Sequence, residues 1–174
     1  ADEQFISAET QGQGLRGAAI YMDYPSHTGT ENLLMAATLA SGRTTIVNAS
    51  CEPEIVALGN MLNRMGARIA GLGSPNIVVE GVDRLHGATH AVMPDRIETG
   101  TFVAAIAAAG GEAAVAGAQP ETLEAVLGKL AEAGAEISVT GDVIRVARHG
   151  PLASFNLRTA PYPGFPTDMQ AQMM

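Results

Sequence analysis

Asp168 stands near the end of the most constrained stretch of the chain, Thr159-Ala-Pro-Tyr-Pro-Gly-Phe-Pro-Thr-Asp-Met-Gln-Ala-Gln172. Three prolines in six positions are expected to hold this backbone extended and to bar a helix before about Thr167. A carboxylate carried on such an approach is well placed to face a ligand. The same pattern also describes an ordinary helix start, in which Thr167 or Asp168 caps the free N–H groups of the residues that follow.

The other reactive side chains are dispersed. Cys51 is the lone cysteine, which excludes an intrachain disulfide framework and fits a reducing compartment. A single cysteine can serve an enzyme as nucleophile or acid. His27, His86, His90 and His149 are too scattered for a metal site, and no Cys/His ligand spacing occurs. Gly71–Gly73 is too short and wrongly placed to cradle a phosphate.

The elements that must position these groups can be read from composition and pattern. The chain has 174 residues, 47% of them apolar and 4% aromatic, with no Trp, so its core should be built from close helix–sheet contacts between small side chains. A formal net charge of −8 without any basic run argues against nucleic acid as a partner. No segment has the unbroken apolar length needed to span a bilayer. The acidic start, Ala1-Asp-Glu-Gln-Phe5, lacks the features of a signal peptide and lacks a Met, and the end at Met174 stops inside a nascent helix. Both termini read as cuts, and an internal fragment of a longer cytoplasmic protein is expected.

In order, Phe5–Glu9 reads as a strand, Gln11–Gly17 as a turn-rich connection, and Ala18–Met22 as a second strand, apolar throughout and expected to be buried. A polar loop, Asp23–Thr30, leads to a helix from about Glu31 to Ala40 that Gly42 stops. Thr44–Asn48 is a strand, and Pro53 opens a second helix whose apolar face carries Ile55, Leu58, Leu62 and Met65. Gly66 closes it, and strands over Arg68–Ala70 and Ile77–Glu80 follow.

That order then repeats. Thr89–Met93 reads as a strand, Pro94–Thr101 as a polar loop and Phe102–Ala109 as a helix stopped by Gly110-Gly111. A strand over Glu112–Ala116, a helix opened at Gln119-Pro-Glu and a hairpin of Glu136–Thr140 with Val143–Val146 across Gly141-Asp142 complete the unit. Thr28-Gly-Thr30 echoes Thr99-Gly-Thr101, and Met65-Gly-Ala-Arg-Ile69 echoes Ala133-Gly-Ala-Glu-Ile137, at an interval of about 70 residues. A third copy begins at Phe155–Thr159, so Asp23–Thr30, Pro94–Thr101 and Ala160–Asp168 are three loops at one place in a βαβαββ repeat. Loops at helix N-termini attract anions and polar ligands.

Four segments carry a resemblance: Met22-Asp-Tyr-Pro-Ser-His-Thr-Gly-Thr-Glu-Asn32, Asn48-Ala-Ser-Cys-Glu-Pro-Glu-Ile-Val56, Met93-Pro-Asp-Arg-Ile-Glu-Thr-Gly-Thr-Phe102 and Phe165-Pro-Thr-Asp-Met-Gln-Ala-Gln172. Over essentially its whole length the chain resembles the UDP-N-acetylglucosamine 1-carboxyvinyltransferases. The resemblance implies an α/β fold of two inside-out, barrel-type lobes, each of three βαβαββ units, incomplete in this chain. Residues 1–93 would be the last unit of one lobe, and 94–174 the first unit and the start of the second unit of the other. Pro94–Thr101 would then lie at the interlobe hinge.

The resemblance also implies a reaction. The enolpyruvyl group of phosphoenolpyruvate moves to the 3′-hydroxyl of UDP-N-acetylglucosamine with release of phosphate, the first committed step of peptidoglycan precursor synthesis, in the cytoplasm and with no cofactor. Asp168 matches the aspartate beside the sugar hydroxyl, a base and positioning group. Tyr24, Pro25, Ser26 and His27 match the loop at the nucleotide end, with Thr28 nearby; some relatives carry Val-Gly where His27-Thr28 stand.

Asp95, Arg96 and Glu98 are expected in hinge salt bridges or substrate contacts rather than in catalysis, and Arg158 supports the proline-rich loop or lies on the surface. Cys51 does not match the family's mobile-loop cysteine, which belongs upstream of Ala1, and is expected to be structural. A Lys–Asn pair, that cysteine loop and a later arginine also fall outside the chain, so the intact parent should be active and these 174 residues alone should not. Two other readings stay open: a shikimate 3-phosphate enolpyruvyl transferase, and a non-catalytic sugar-nucleotide binding protein of the same fold.

Overall fold

The computed structural model describes residues 9, 10, 12 and 14–174, which fall into two compact units, Ala1–Ala91 and Val92–Met174. Of the strand expected at Phe5–Glu9, residues 5–8 lie outside the described residues, and Glu9 is not in a strand.

In the first unit the chain runs β1 (Ala19–Tyr21), α1 (His27–Thr38), β2 (Arg43–Val47), α2 (Pro53–Arg64), β3 (Arg68–Ala70) and β4 (Asn76–Glu80). This is the βαβαββ order that the pattern predicts. The sheet order is β1-β2-β4-β3, with β1 parallel to β2 and the other pairs antiparallel. Side chains alternate across a strand, so Thr44 and Ile46 of β2 and Ile77 and Val79 of β4 share the covered face. They meet Leu34 and Ala37 of α1 and Ile55 and Leu62 of α2. Burying each large aliphatic side chain contributes about 1.5–3 kcal/mol.

The second unit runs α3 (Arg96–Ala109), β5 (Gly111–Val115), a 3-10 turn at Pro120–Thr122, α4 (Glu124–Glu132), β6 (Glu136–Thr140) and β7 (Val143–Arg148), then a 3-10 turn at Thr167–Met169 and the short α5 (Gln170–Met173). Its sheet, β5-β7-β6, is antiparallel throughout. The predicted two-residue hairpin turn is present, with Gly141 at φ 60° supplying the positive angle that its first position needs. Val103, Ala104 and Ala107 of α3 pack with Leu123, Val126, Leu130, Ile144 and Val146, an aliphatic core of mostly small side chains. Arg148 closes the far end of α3, donating to the carbonyls of Ala107 and Ala108, two of the acceptors that a helix C-terminus leaves open.

Several expectations fail, each for a local reason. Helix α1 begins at His27 and α3 at Arg96, several residues earlier than their apolar runs. Their first turns are polar but helical, because Ser26 and Asp95 cap them. Thus the loops read at Asp23–Thr30 and Pro94–Thr101 are only half loop. The Thr-Gly-Thr echo is also out of register: Thr30 and Thr99 are the equivalent residues, each four past its cap and each donating to that cap's carbonyl. Strand β1 is not buried: Tyr21 is 71% exposed, and among the described residues β1 is the outermost strand of its sheet, paired with β2. Thr89–Met93 and Phe155–Thr159 form no strands, because among the described residues neither has a ladder partner apart from a single bridge between Thr159 and Phe165.

Candidate functional site

The sequence-predicted residues form two patches, one in each unit. In the first unit Tyr24, Pro25, Ser26 and His27 make the turn from β1 into α1. Ser26 donates its N–H to the Tyr24 carbonyl at 2.7 Å, and its Oγ accepts the Gly29 N–H at 3.1 Å as the helix N-cap. Tyr24 is 63% exposed, whereas Pro25, Ser26 and His27 are half-buried.

This turn is fastened to the start of α2 by polar bonds. Buried Thr30 donates to the Ser26 carbonyl at 2.8 Å and accepts the Ser50 N–H at 2.9 Å. Asn48 donates from its amide to the Met22 carbonyl at 2.7 Å while its own backbone sits at φ 61°. That left-handed conformation is one that Asn tolerates better than most side chains. Neither Thr30 nor Asn48 had been singled out; the equivalence of Thr30 and Thr99 was the available signal.

His27 is the most heavily engaged member. Its Nδ1 bonds to Glu52, the N-cap position of α2, and its Nε2 lies 3.2 Å from Glu31 Oε1 one turn along α1. Burial pushes the imidazolium down, but its hydrogen bond to Glu52 and the negative charges of Glu52 and Glu31 outweigh that and hold its pKa above the ordinary histidine value. His27, Glu52 and Glu54 each offer a ligand-type atom within 4.8 Å of one another. Sequence reading compared histidines only with one another and missed both glutamates. Both ring nitrogens are turned to carboxylates, and in its protonated form His27 donates to both. Cys51, on the same connection, is half-buried, and burial pushes its thiol pKa up, which suits a structural cysteine better than a nucleophile.

In the second unit the proline-rich stretch is a tight turn, not an extended arm. Gly164 donates to the Pro161 carbonyl at 2.8 Å and Ala160 to the Phe165 carbonyl at 3.0 Å, around a cis Tyr162–Pro163 bond. Phe165 and Met169 are buried in the core, at 5% and 0% exposure, on either side of Asp168.

Met169 packs against α3 so closely that a Cβ on Gly100 would lie 3.0 Å from its Cε. Gln172 donates to Thr101 Oγ1 at 3.0 Å, and buried Arg96 lies 5.7 Å from the centroid of the Tyr162 ring. The charges expected at a hinge are divided: Arg96 packs beneath the turn, while Asp95 caps α3 by accepting the N–H groups of Ile97 and Glu98. Arg158 is exposed.

Asp168 itself is exposed within the 3-10 turn, and its Oδ1 accepts a long hydrogen bond from Thr167 Oγ1 at 3.4 Å. It does not cap a helix, and neither does Thr167. Pro166 occupies the cap position, and no side chain bonds to the free N–H groups there. The carboxylate is thus presented outward from a fixed base. A small cleft of about 40 Å³ beside the turn is lined by Arg96, Tyr162, Pro163 and the start of α4, and Asp168 does not line it. Among the described residues no helix is long and apolar enough to cross a membrane.

Residues 1–174 match the family described as EPSP synthase (3-phosphoshikimate 1-carboxyvinyltransferase). The chain is similar to the UDP-N-acetylglucosamine 1-carboxyvinyltransferase of Rhodopseudomonas palustris (strain HaA2), 52% identical over 174 residues that make up 99% of this chain and 40% of that protein. It is 57% identical over 162 residues to the protein of that name from Nitrobacter winogradskyi, covering 92% of this chain and 38% of that one. The chain therefore spans about 40% of the length of the curated relatives it matches.

Among solved structures, the enolpyruvyl transferase NikO from Streptomyces tendae agrees with a TM-score of 0.78 and 22% identity, covering 92% of this chain and 41% of that one. An EPSP synthase from Acinetobacter baumannii agrees with a TM-score of 0.54 and 22% identity over 78% and 32%. At such identity the likeness is one of fold, and the mixed α/β architecture seen here is part of that fold. The chain belongs to the EPSP synthase (3-phosphoshikimate 1-carboxyvinyltransferase) family of enolpyruvyl transferases.

Proposed function

We propose that the protein containing this chain transfers the enolpyruvyl group of phosphoenolpyruvate to the 3′-hydroxyl of UDP-N-acetylglucosamine, releasing phosphate, as the first committed step of peptidoglycan precursor synthesis in the cytoplasm. The observation that carries this reading is the 52–57% identity, over 92–99% of the chain, to relatives named for that substrate. Residues 1–93 are read as the last unit of one lobe, and 94–174 as the first unit and start of the second unit of the other.

In this reading Asp168 accepts the proton of the sugar hydroxyl and orients it toward the acceptor carbon of phosphoenolpyruvate, while the other vinyl carbon is protonated. The tetrahedral adduct then loses phosphate together with a proton from its methyl carbon, which restores the vinyl group. An outward carboxylate on a braced turn suits that task. Tyr24, Pro25, Ser26 and His27 hold the nucleotide end. In any helix the first-turn N–H groups lack intrahelical acceptors, and those of His27 and Thr28 meet the diphosphate with the positive end of the α1 dipole behind them.

The family's own description favours a second reading, transfer to shikimate 3-phosphate. Phosphate release by the intact protein, assayed with phosphoenolpyruvate and either acceptor, separates the two. Release dependent on UDP-N-acetylglucosamine is expected; release dependent only on shikimate 3-phosphate would overturn the first reading, and release with neither acceptor would overturn both.

A further inference from the structure

The ring of His27 lies between carboxylates that come from two helices. Glu31 faces it from α1, and Glu52 and Glu54 face it from the first turn of α2. A carboxylate can only accept, so each direct contact needs an N–H from the ring. Neutral imidazole carries one such N–H and the imidazolium carries two. Glu52 makes no side-chain cap on its own helix, and its carboxylate turns to His27 instead. The cationic ring thus ties the N-terminus of α1 to that of α2, beside the turn that carries Tyr24, Pro25 and Ser26.

We infer that Glu52 is a positioning residue for the ligand-binding turn: by holding His27 as a cation, it keeps the first turn of α1 receptive to the diphosphate of the sugar nucleotide. This rests on the sugar-nucleotide reading given above. When the ring loses its proton, one carboxylate faces a lone pair, and the positive charge of His27 beside an anionic ligand is lost. The affinity for the diphosphate therefore falls as pH rises through the His27 titration. The diphosphate diester stays fully ionised over the same range, and only the uracil N3–H of the ligand begins to titrate, at its alkaline end.

The test is calorimetric binding of UDP-N-acetylglucosamine to the intact protein, in the presence of a chelator, from about pH 6 to about pH 9. Wild type is compared with Glu52→Gln and Glu52→Asp, and the titration of the His27 ring is followed by NMR in each. The wild-type affinity should fall roughly two- to five-fold across the range, the scale of one partly exposed charge contact. In Glu52→Gln the midpoints of both the binding curve and the ring titration should move to lower pH, and in Glu52→Asp both should stay nearer wild type.

A binding midpoint that does not move in Glu52→Gln while the ring midpoint does would overturn the inference, because the pair would then be structural only. A ring midpoint unmoved in Glu52→Gln would overturn it as well. Absence of binding at every pH would sink the sugar-nucleotide reading and this inference with it, an outcome distinct from the other two.

Discussion

The turn Tyr24–His27 and the turn Pro161–Asp168 both lead into helices, yet they are held by different forces. The first is fastened by polar bonds: a Ser26 cap, the bonds of Thr30, the Asn48 tether and the charged contacts of His27. The second is fastened by apolar anchors, Phe165 and Met169, with Arg96 packed beneath the Tyr162 ring. The consequence is a difference in what each presents. The polar turn uses its side chains on its own scaffold and leaves backbone N–H groups for an anion. The apolar turn sinks its neighbours into the core and leaves one carboxylate outward. Under the proposed function, the first would serve as a binding surface and the second as a proton-accepting group.

The contrast can be broken most severely at Met169, which is fully buried against Gly100. Met169→Ala should cost about 2–5 kcal/mol of stability in denaturant unfolding, with hydrogen-exchange protection lost first around the Pro161–Gln172 segment. In the polar turn, Thr30→Val keeps the shape but removes the hydroxyl's bonds to the Ser26 carbonyl and to Met22 Sδ and leaves the Ser50 N–H without its acceptor. A loss of about 1–3 kcal/mol is expected, read by the same unfolding measurement, and a negligible loss would show that the turn does not depend on its polar fastening. Ser26→Ala should cost about 0.5–2 kcal/mol through the lost cap, and Ser26→Gly only a few tenths.

The smallest effect concerns pH. His27 has a raised pKa in the folded state, so its contribution is full below the ordinary histidine value and is lost as pH rises through the folded one. The ring is 32% exposed, so the effect is modest. The melting temperature of wild type should exceed that of His27→Gln by about 2 °C near pH 6, with the gap closing toward pH 9. A gap that widens as pH rises would contradict the sign.

Much of the scaffold under both turns was legible in the chain. Pro53 marked the start of α2 because a proline suits a first helical position. The alternation in β4 and the Gly141 turn between β6 and β7 marked strands because period two and a positive φ leave direct traces in residue type. The starts of α1 and α3 were misplaced because a helix's first turn owes its shape to the cap, and its side chains can all be polar. Thr89–Met93 has strand-like residues but no ladder partner, and only the tertiary arrangement reveals that.

The sites divide in the same way. Asp168 stood out because prolines and a carboxylate are visible in series, although its support proved to be buried neighbours and not a cap. The pairing of His27 with Glu52 joins residues 25 apart on different helices, and no local spacing encodes it.

The account turns on Asp168 doing chemistry and the Tyr24–His27 turn doing binding. Asp168→Asn in the intact protein tests this most directly, because the side chain is exposed and caps nothing, so folding should be untouched. The account predicts that phosphate release falls by about 10²–10⁴-fold while the affinity for UDP-N-acetylglucosamine changes little. Near-normal turnover in that variant, or turnover lost only through weakened binding of the sugar nucleotide, would contradict it.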